Sequence, residues 1–126
     1  MFDSTKAFHG IAVPDVDAAR AFYEGTLGLT VGDEMGMPVL HLGPGNDTIL
    51  YPKDDHVPAT YTVLNFPVDD IDAAVDALAA KGVELLRYDG FPQDEKGIMR
   101  SDGTMGPHIG WFTDPAGNIL AVMQDV

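Results

Sequence analysis

The chain prints one pattern twice. Val13-Pro14-Asp15-Val16-Asp17-Ala18-Ala19 returns about half a chain later as Val68-Asp69-Asp70-Ile71-Asp72-Ala73-Ala74. In each copy an apolar run ends at Val, aspartates follow, and Ala-Ala opens a helical periodicity. That is the signature of a strand feeding a capped helix. In the second copy Ile71, Ala74, Val75 and Leu78 recur at helical spacing. Asp70 or Asp72 can accept hydrogen bonds from the free N–H groups of the first turn, and Gly82 stands where a left-handed residue ends a helix. In the first copy Val16, Ala19, Phe22 and Tyr23 play the same part, with Gly25 or Gly28 as the stop. A repeat spanning half of a chain constrains the fold more than any single motif does.

The remaining segments extend the repeat. Phe8 to Val13 reads as a strand, Asp17 to Gly25 as a helix and Leu29 to Val31 as a strand. Pro38 to Leu42 and Thr48 to Tyr51 read as a hairpin around Gly43-Pro44-Gly45-Asn46. The first half is thus βαβββ. After a polar linker from Pro52 to Pro58, the second half repeats the order. Tyr61 to Val68 is a strand, the second helix follows, and Val83 to Tyr88 is a strand. A hairpin of His108 to Thr113 and Asn118 to Met123 closes on Asp114-Pro115-Ala116-Gly117. The class expected is α+β, one domain over 1–126 built of two βαβββ modules, at about 6–52 and about 60–125. Asp89 to Gly106 is a long, glycine-rich loop, the kind of segment that carries function or moves.

Composition removes several classes of function. At 126 residues the chain can bury about two thirds of its unfolded surface. It has no cysteine, which excludes disulfides, thiolate metal sites and cysteine nucleophiles and is compatible with a cytoplasmic location. No apolar run approaches the roughly 20 residues of a membrane span, nor does the start resemble a signal peptide. Seven Lys and Arg against twenty Asp and Glu give a formal charge of -13, which argues against nucleic acid and anionic membranes as partners. There is no phosphate-binding glycine loop and no serine in a nucleophile elbow.

With Phe22-Tyr23 and Leu27-Gly28-Leu29 after the first helix, and Asp114-Pro115-Ala116-Gly117-Asn118 before the last strand, this double βαβββ chain resembles the vicinal oxygen chelate superfamily. That group includes glyoxalase I, extradiol dioxygenases and the fosfomycin and bleomycin resistance proteins. The resemblance implies a cupped mixed sheet with helices on its outer face, often completed across a homodimer, and in the enzymes a divalent metal held by inward His or Glu. Placed in register with Asp15 and Asp70, the implied first-strand ligand positions are Phe8 and Val63, and counting from the Gly-Asn turns puts the last-strand positions at Ile49 and Ala121, all apolar. No metal and no other cofactor is expected. His9 lies one residue late, so strand alternation turns it to the helix side unless a bulge at Gly10 returns it.

On the inward face the pairing expected for the two hairpins gathers His41 with Ile49 and Tyr51, and His108 and Gly110 with Ala121 and Met123; Asn65 follows Val63. Phe112 is expected to pair with Ile119 and to belong to the wall. The ligand-binding set expected is His41, Tyr51, Asn65, Phe91, Met99, His108, Phe112 and Met123, with Phe91 and Met99 carried by a lid from Gly90 to Gly106. The reading is a metal-free protein of the bleomycin-resistance type that binds an aromatic or flat small molecule. One alternative is a metal-dependent lyase, isomerase or dioxygenase using displaced ligands such as His9, His41, His108 and Glu95. A second is an interaction or stress protein with a filled core. The residues name neither a ligand nor a reaction.

Overall fold

The computed structural model describes residues 1–126, which form two compact units, Met1–Pro58 and Ala59–Val126. The class is α+β. Each unit is a small mixed sheet with one helix packed against it, and the two units repeat the same plan.

In the first unit β1 (His9–Val13) leads into α1 (Val16–Arg20), then β2 (Val31–Glu34), β3 (Met37–His41) and β4 (Asp47–Pro52) follow. The sheet order is β1-β4-β3-β2, with β1 parallel to β4 and the other pairs antiparallel. Asp15 caps α1 by accepting from the N–H groups of Asp17 and Ala18. The helix expected through Gly25 is α-helical for five residues only and then widens into a π-helical turn over Ala21–Thr26. Leu27 N–H reaches back five residues to Phe22 O at 2.9 Å. Successive side chains on an α-helix point about 100° apart, and a wider turn helps two neighbours face the same core. Phe22 and Tyr23 are both buried, their rings edge to face at 5.3 Å.

In the second unit β5 (Thr62–Pro67) leads into α2 (Ile71–Ala80), then β6 (His108–Thr113) and β7 (Ile119–Gln124) complete a sheet of order β5-β7-β6, with β5 parallel to β7. Of the two candidate caps, Asp70 is the one used, accepting from Ala73 N–H at 3.1 Å. Gly82, at φ 81°, follows the C-terminal turn as its left-handed residue.

The strand expected over Val83 to Tyr88 does not form. Leu86 N–H donates to Trp111 O at 2.7 Å, but the carboxamide of Gln93 takes the Leu86 carbonyl and the Tyr88 N–H, both at 2.8 Å. Met99 exchanges both backbone hydrogen bonds with Ile109. The edge of β6 is therefore shared between the 83–88 segment and the returning loop, and no continuous ladder can grow. The loop is correspondingly less free than expected. Ile98 within it is fully buried, and Arg87 donates to the carbonyls of Asp94 and Glu95.

Candidate functional site

In the first unit, strand pairing sets Gly10, Ile49, Val39 and Gly32 in one row across the sheet, on the face opposite Leu40 and Leu50. The His41 ring covers Gly32 at one end of that row, whereas at the β1 end Gly10 has no side chain to fill the space beside Ile49. A concavity of about 370 Å³ lies there, lined by Phe8, Gly10, Ala12, Met35, Met37, Ile49 and Tyr51. Phe8, Met35 and Tyr51 expose 62%, 79% and 53% of their surface. A second concavity of similar size adjoins it, sharing Phe8 and Ile49 and bringing in Lys6, Glu34 and Asp47.

His41 stands on this face, next to Asp47 across the strand pair, and its Nδ1 is 2.8 Å from Asp47 Oδ1. A carboxylate can only accept, so Nδ1 carries the hydrogen and donates it. The other ring nitrogen leans over Gly32, where an added Cβ would stand 2.6 Å from Nε2. His9 is turned to the other face, with Nε2 2.9 Å from the hydroxyl of buried Thr48.

In the second unit β6 pairs with β7 one residue out of the expected register. Thr113 faces Ile119, Phe112 faces Leu120, and Trp111 faces Ala121. The turn explains the shift, for Asp114 and Asn118 pair through Asp114 N–H and Asn118 O, leaving a three-residue loop with Gly117 at φ 84°. A one-residue slip moves every side chain to the opposite face. His108, Gly110 and Phe112 therefore lie with Leu120 and Val122, on the side where Gln124 accepts from Ile71 N–H of α2. The expectation that His108 and Phe112 share a face with Ala121 and Met123 is corrected. Phe112 is buried, and His108 Nδ1 accepts from Ser101 N–H at 2.9 Å.

The face away from α2 instead carries Trp111 and Ile109 with Ala121, Asn65 and Met123. Tyr88 and Phe91 pack on Trp111 at ring separations of 5.3 and 5.5 Å, and on each other at 5.5 Å. Phe91 thus belongs to a three-ring cluster within the unit, and Met99 is fixed through its backbone to Ile109. Neither Trp111 nor Tyr88 stands out in the sequence as a site residue. The wrong register turned Trp111 to the helix side, and Asp47 was hidden by beginning its strand one residue late.

Charge in the second unit gathers where α2 meets the loop. Arg100 donates to Asp72 at 2.7 and 3.0 Å and to Asp94 at 2.9 Å, while Lys96 lies 3.0 Å from Asp76 and 3.3 Å from Asp72. The Arg100 guanidinium, with Lys96 behind it, holds the Asp72 carboxyl well below the usual carboxylate range. Burial pushes the Asp94 carboxyl up, but hydrogen bonds from Ile98 N–H, Arg100 and Lys96 N–H outweigh it and leave that group lowered as well. These are structural tethers.

The residues present do not fit a divalent cation. Phe8, Ile49, Val63 and Ala121 offer hydrocarbon, and no three His, Cys, Asp or Glu side chains gather closely enough to hold one. The displaced candidates are each spoken for separately, His9 by Thr48, His41 by Asp47 and His108 by Ser101.

A family model described as the Glyoxalase/Bleomycin resistance protein/Dioxygenase superfamily matches residues 7–122. No curated protein sequence matches. Among solved structures, a genomically encoded fosfomycin resistance protein, FosX, from Listeria monocytogenes aligns over 100% of this chain and 96% of its own, with a TM-score of 0.73 at 16% identity. TnmS3, an antibiotic binding protein from a Streptomyces species, aligns over 99% and 100%, with a TM-score of 0.68 at 22% identity. A lactoylglutathione lyase from Agrobacterium tumefaciens aligns over 97% and 94%, with a TM-score of 0.67 at 20% identity.

Proposed function

The chain belongs to the glyoxalase/bleomycin resistance protein/dioxygenase superfamily, and from that premise we propose that it binds a flat or aromatic small molecule without a metal. The observation that carries this reading is the apolar concavity of the first unit, with Phe8 and Ile49 in its wall. These are the positions at which the family's enzymes are expected to present metal ligands. Hydrocarbon there gives up Lewis-acid chemistry and gives a planar ligand two surfaces to lie against, with Tyr51 and Met37 beside them. His41, paired with Asp47, stands on the same face of the sheet. In the second unit, taken by itself, the Tyr88, Phe91 and Trp111 rings, with Asn65, Met99 and Met123, form a separate surface of aromatic and apolar character. His108 and Phe112 drop out of the set, because they lie on the α2 side of their sheet. A cytoplasmic homodimer is part of the same proposal, and TnmS3, an antibiotic binding protein, is the kind of relative it follows.

The test is a panel of planar aromatics measured by calorimetry, alongside elemental analysis of the purified protein. The expected outcome is binding that survives chelation and is weakened about tenfold or more by Tyr51→Ala, the loss of one well-buried aromatic contact. Near one equivalent of zinc, nickel, iron or manganese per chain would overturn the metal-free reading. Absence of binding across the panel would overturn the ligand reading and favour a protein whose faces are filled by partners.

A further inference from the structure

We propose that Met35 is a ligand-contact residue that sets the affinity of the first unit's concavity, its thioether closing over the outer face of an uncharged aromatic of one or two rings. The inference rests on the ligand reading above and adds the residue that clamps the ligand and the class it selects. Glu34 pairs with Met37, so β2 and β3 are joined by the two-residue turn Met35-Gly36, with φ 51° and 79°. Such a turn needs the left-handed region at both positions and favours Asn, Asp or Gly at the first, because other side chains are disfavoured there. Met35 is the one residue other than glycine with a positive φ in the chain. Its side chain gains little by packing to offset that conformation, being 79% exposed. An apolar side chain held in water on a disfavoured backbone is stabilised only when something lies against it.

The surface that Met35 borders sets what that partner is. Met37, Tyr51 and Phe8 share the wall with it, and Gly10 leaves the floor bare beside Ile49. The wall carries one hydroxyl, that of Tyr51, and no charged side chain, so an ion entering would shed its water and find no group of opposite sign. A volume of about 370 Å³ is near the lower end of the roughly 300–1,000 Å³ of small-molecule sites, which suits one or two rings. A flat ring on the Ile49 floor leaves its edge and outer face to the thioethers, and sulfur against an aromatic edge is a favourable contact. A second copy of the chain is the other occupant, but it approaches against the repulsion of two charges of -13, and an uncharged small molecule does not. The simplest role for Met35 is to be a turn residue and nothing more, and in that role Asn would serve better and no binding would be lost.

The experiment uses prodan, an uncharged two-ring naphthalene dye whose fluorescence rises and shifts to the blue on leaving water, with the full chain. The unaltered chain is first exposed briefly to hydrogen peroxide, which transfers one oxygen to an accessible thioether and leaves water, and peptide mass spectrometry gives the oxidation rate of each methionine. Met105, 86% exposed in the second unit, is the internal reference. Saturating prodan should slow oxidation of Met35 about fivefold or more and leave Met105 unchanged. Met35→Asn should weaken prodan binding about fivefold or more while raising the thermal midpoint by about 3 °C, because Asn suits the turn. Weaker binding in a more stable chain cannot come from unfolding. Met35→Leu, which keeps the apolar bulk, should bind within about twofold of the parent with no gain in midpoint. Met35 oxidising equally with and without prodan, or prodan binding unchanged in Met35→Asn, would overturn the clamp while leaving the ligand reading in place. So would a Met35→Asn chain that binds prodan normally but no longer self-associates in sedimentation, in favour of a second copy. No binding of prodan would overturn the class named here, and no binding across the aromatic panel would overturn the ligand reading as well. Should Met35→Asn lose stability, the oxidation footprint on the unaltered chain still decides.

Discussion

Asp114 illustrates how much a single side chain can hold. It is almost fully buried, its Oδ1 accepts from the N–H groups of Ala116 and Asn118, and its Oδ2 accepts from the Asn118 carboxamide, each at 2.9 Å. Alanine at this position would take the carboxylate acceptor away from these donors, and a buried donor that loses its hydrogen bond costs about 1–3 kcal/mol. Asp114→Ala should therefore destabilise the chain by about 3 kcal/mol in urea unfolding, with Asp114→Asn intermediate because one carboxamide oxygen remains. A loss below about 0.5 kcal/mol would show that the turn is held by its backbone alone. The same residue accounts for what the sequence misled about. Asp-Pro-x-Gly-Asn announces a turn, but whether Phe112 or Thr113 faces Ile119 depends on where the Asp114 side chain folds over. That is a matter of ångströms invisible to a pattern of period two.

Elements that advertise themselves locally were legible. The two capped helices and the β3–β4 hairpin follow from neighbours in sequence, and so does the turn of His9 to the face of Thr48. The 83–88 segment was not, because its fate as a strand is decided by Gln93 and Met99, which reach it from the loop beyond. The site followed the same division. His41 and Tyr51 fell on the expected face because a short hairpin fixes them, whereas Trp111 was lost to one residue of register. The loop that displaced the strand is itself held by Arg100, which spans Asp72 on α2 and Asp94. The folded-state pKa of each carboxyl is lowered. The tether's stabilisation is accordingly complete above the ordinary carboxylate pKa of about 3.9 and is lost as pH falls toward the depressed values. Arg100→Met should lower the thermal midpoint at neutral pH, and its gap from the parent should shrink on acidification and with added salt. Hydrogen exchange at Gly97 to Met99 should quicken in the variant. An unchanged gap between neutral and strongly acidic pH would mean that Arg100 acts through its aliphatic stem.

At the scale of the whole molecule, charge and apolar surface pull association in opposite directions. Phe8, Met35 and Tyr51 put large apolar side chains in water around the first unit's concavity, the kind of patch that pairs with a second copy when no ligand covers it. Against this, each chain brings a formal charge of -13, so two copies approach through mutual repulsion. The range of that repulsion is the Debye length, about 10 Å at 0.1 M salt and about 3 Å at 1 M, while burial of hydrocarbon is not screened at all. The dimer proposed above, if formed through this patch, should therefore tighten as salt is raised, the reverse of an association made by opposite charges. Sedimentation equilibrium between about 0.01 and 1 M sodium chloride should show the dissociation constant falling by about tenfold or more, as electrostatic opposition of about 1.4 kcal/mol is removed. Tyr51→Glu, which places another negative charge on the apolar patch, should weaken the dimer and steepen its salt dependence. A mass that stays at 13.5 kDa across that range and up to millimolar protein would exclude the dimer. A dimer that loosens with salt would place the interface on charged rather than apolar surface.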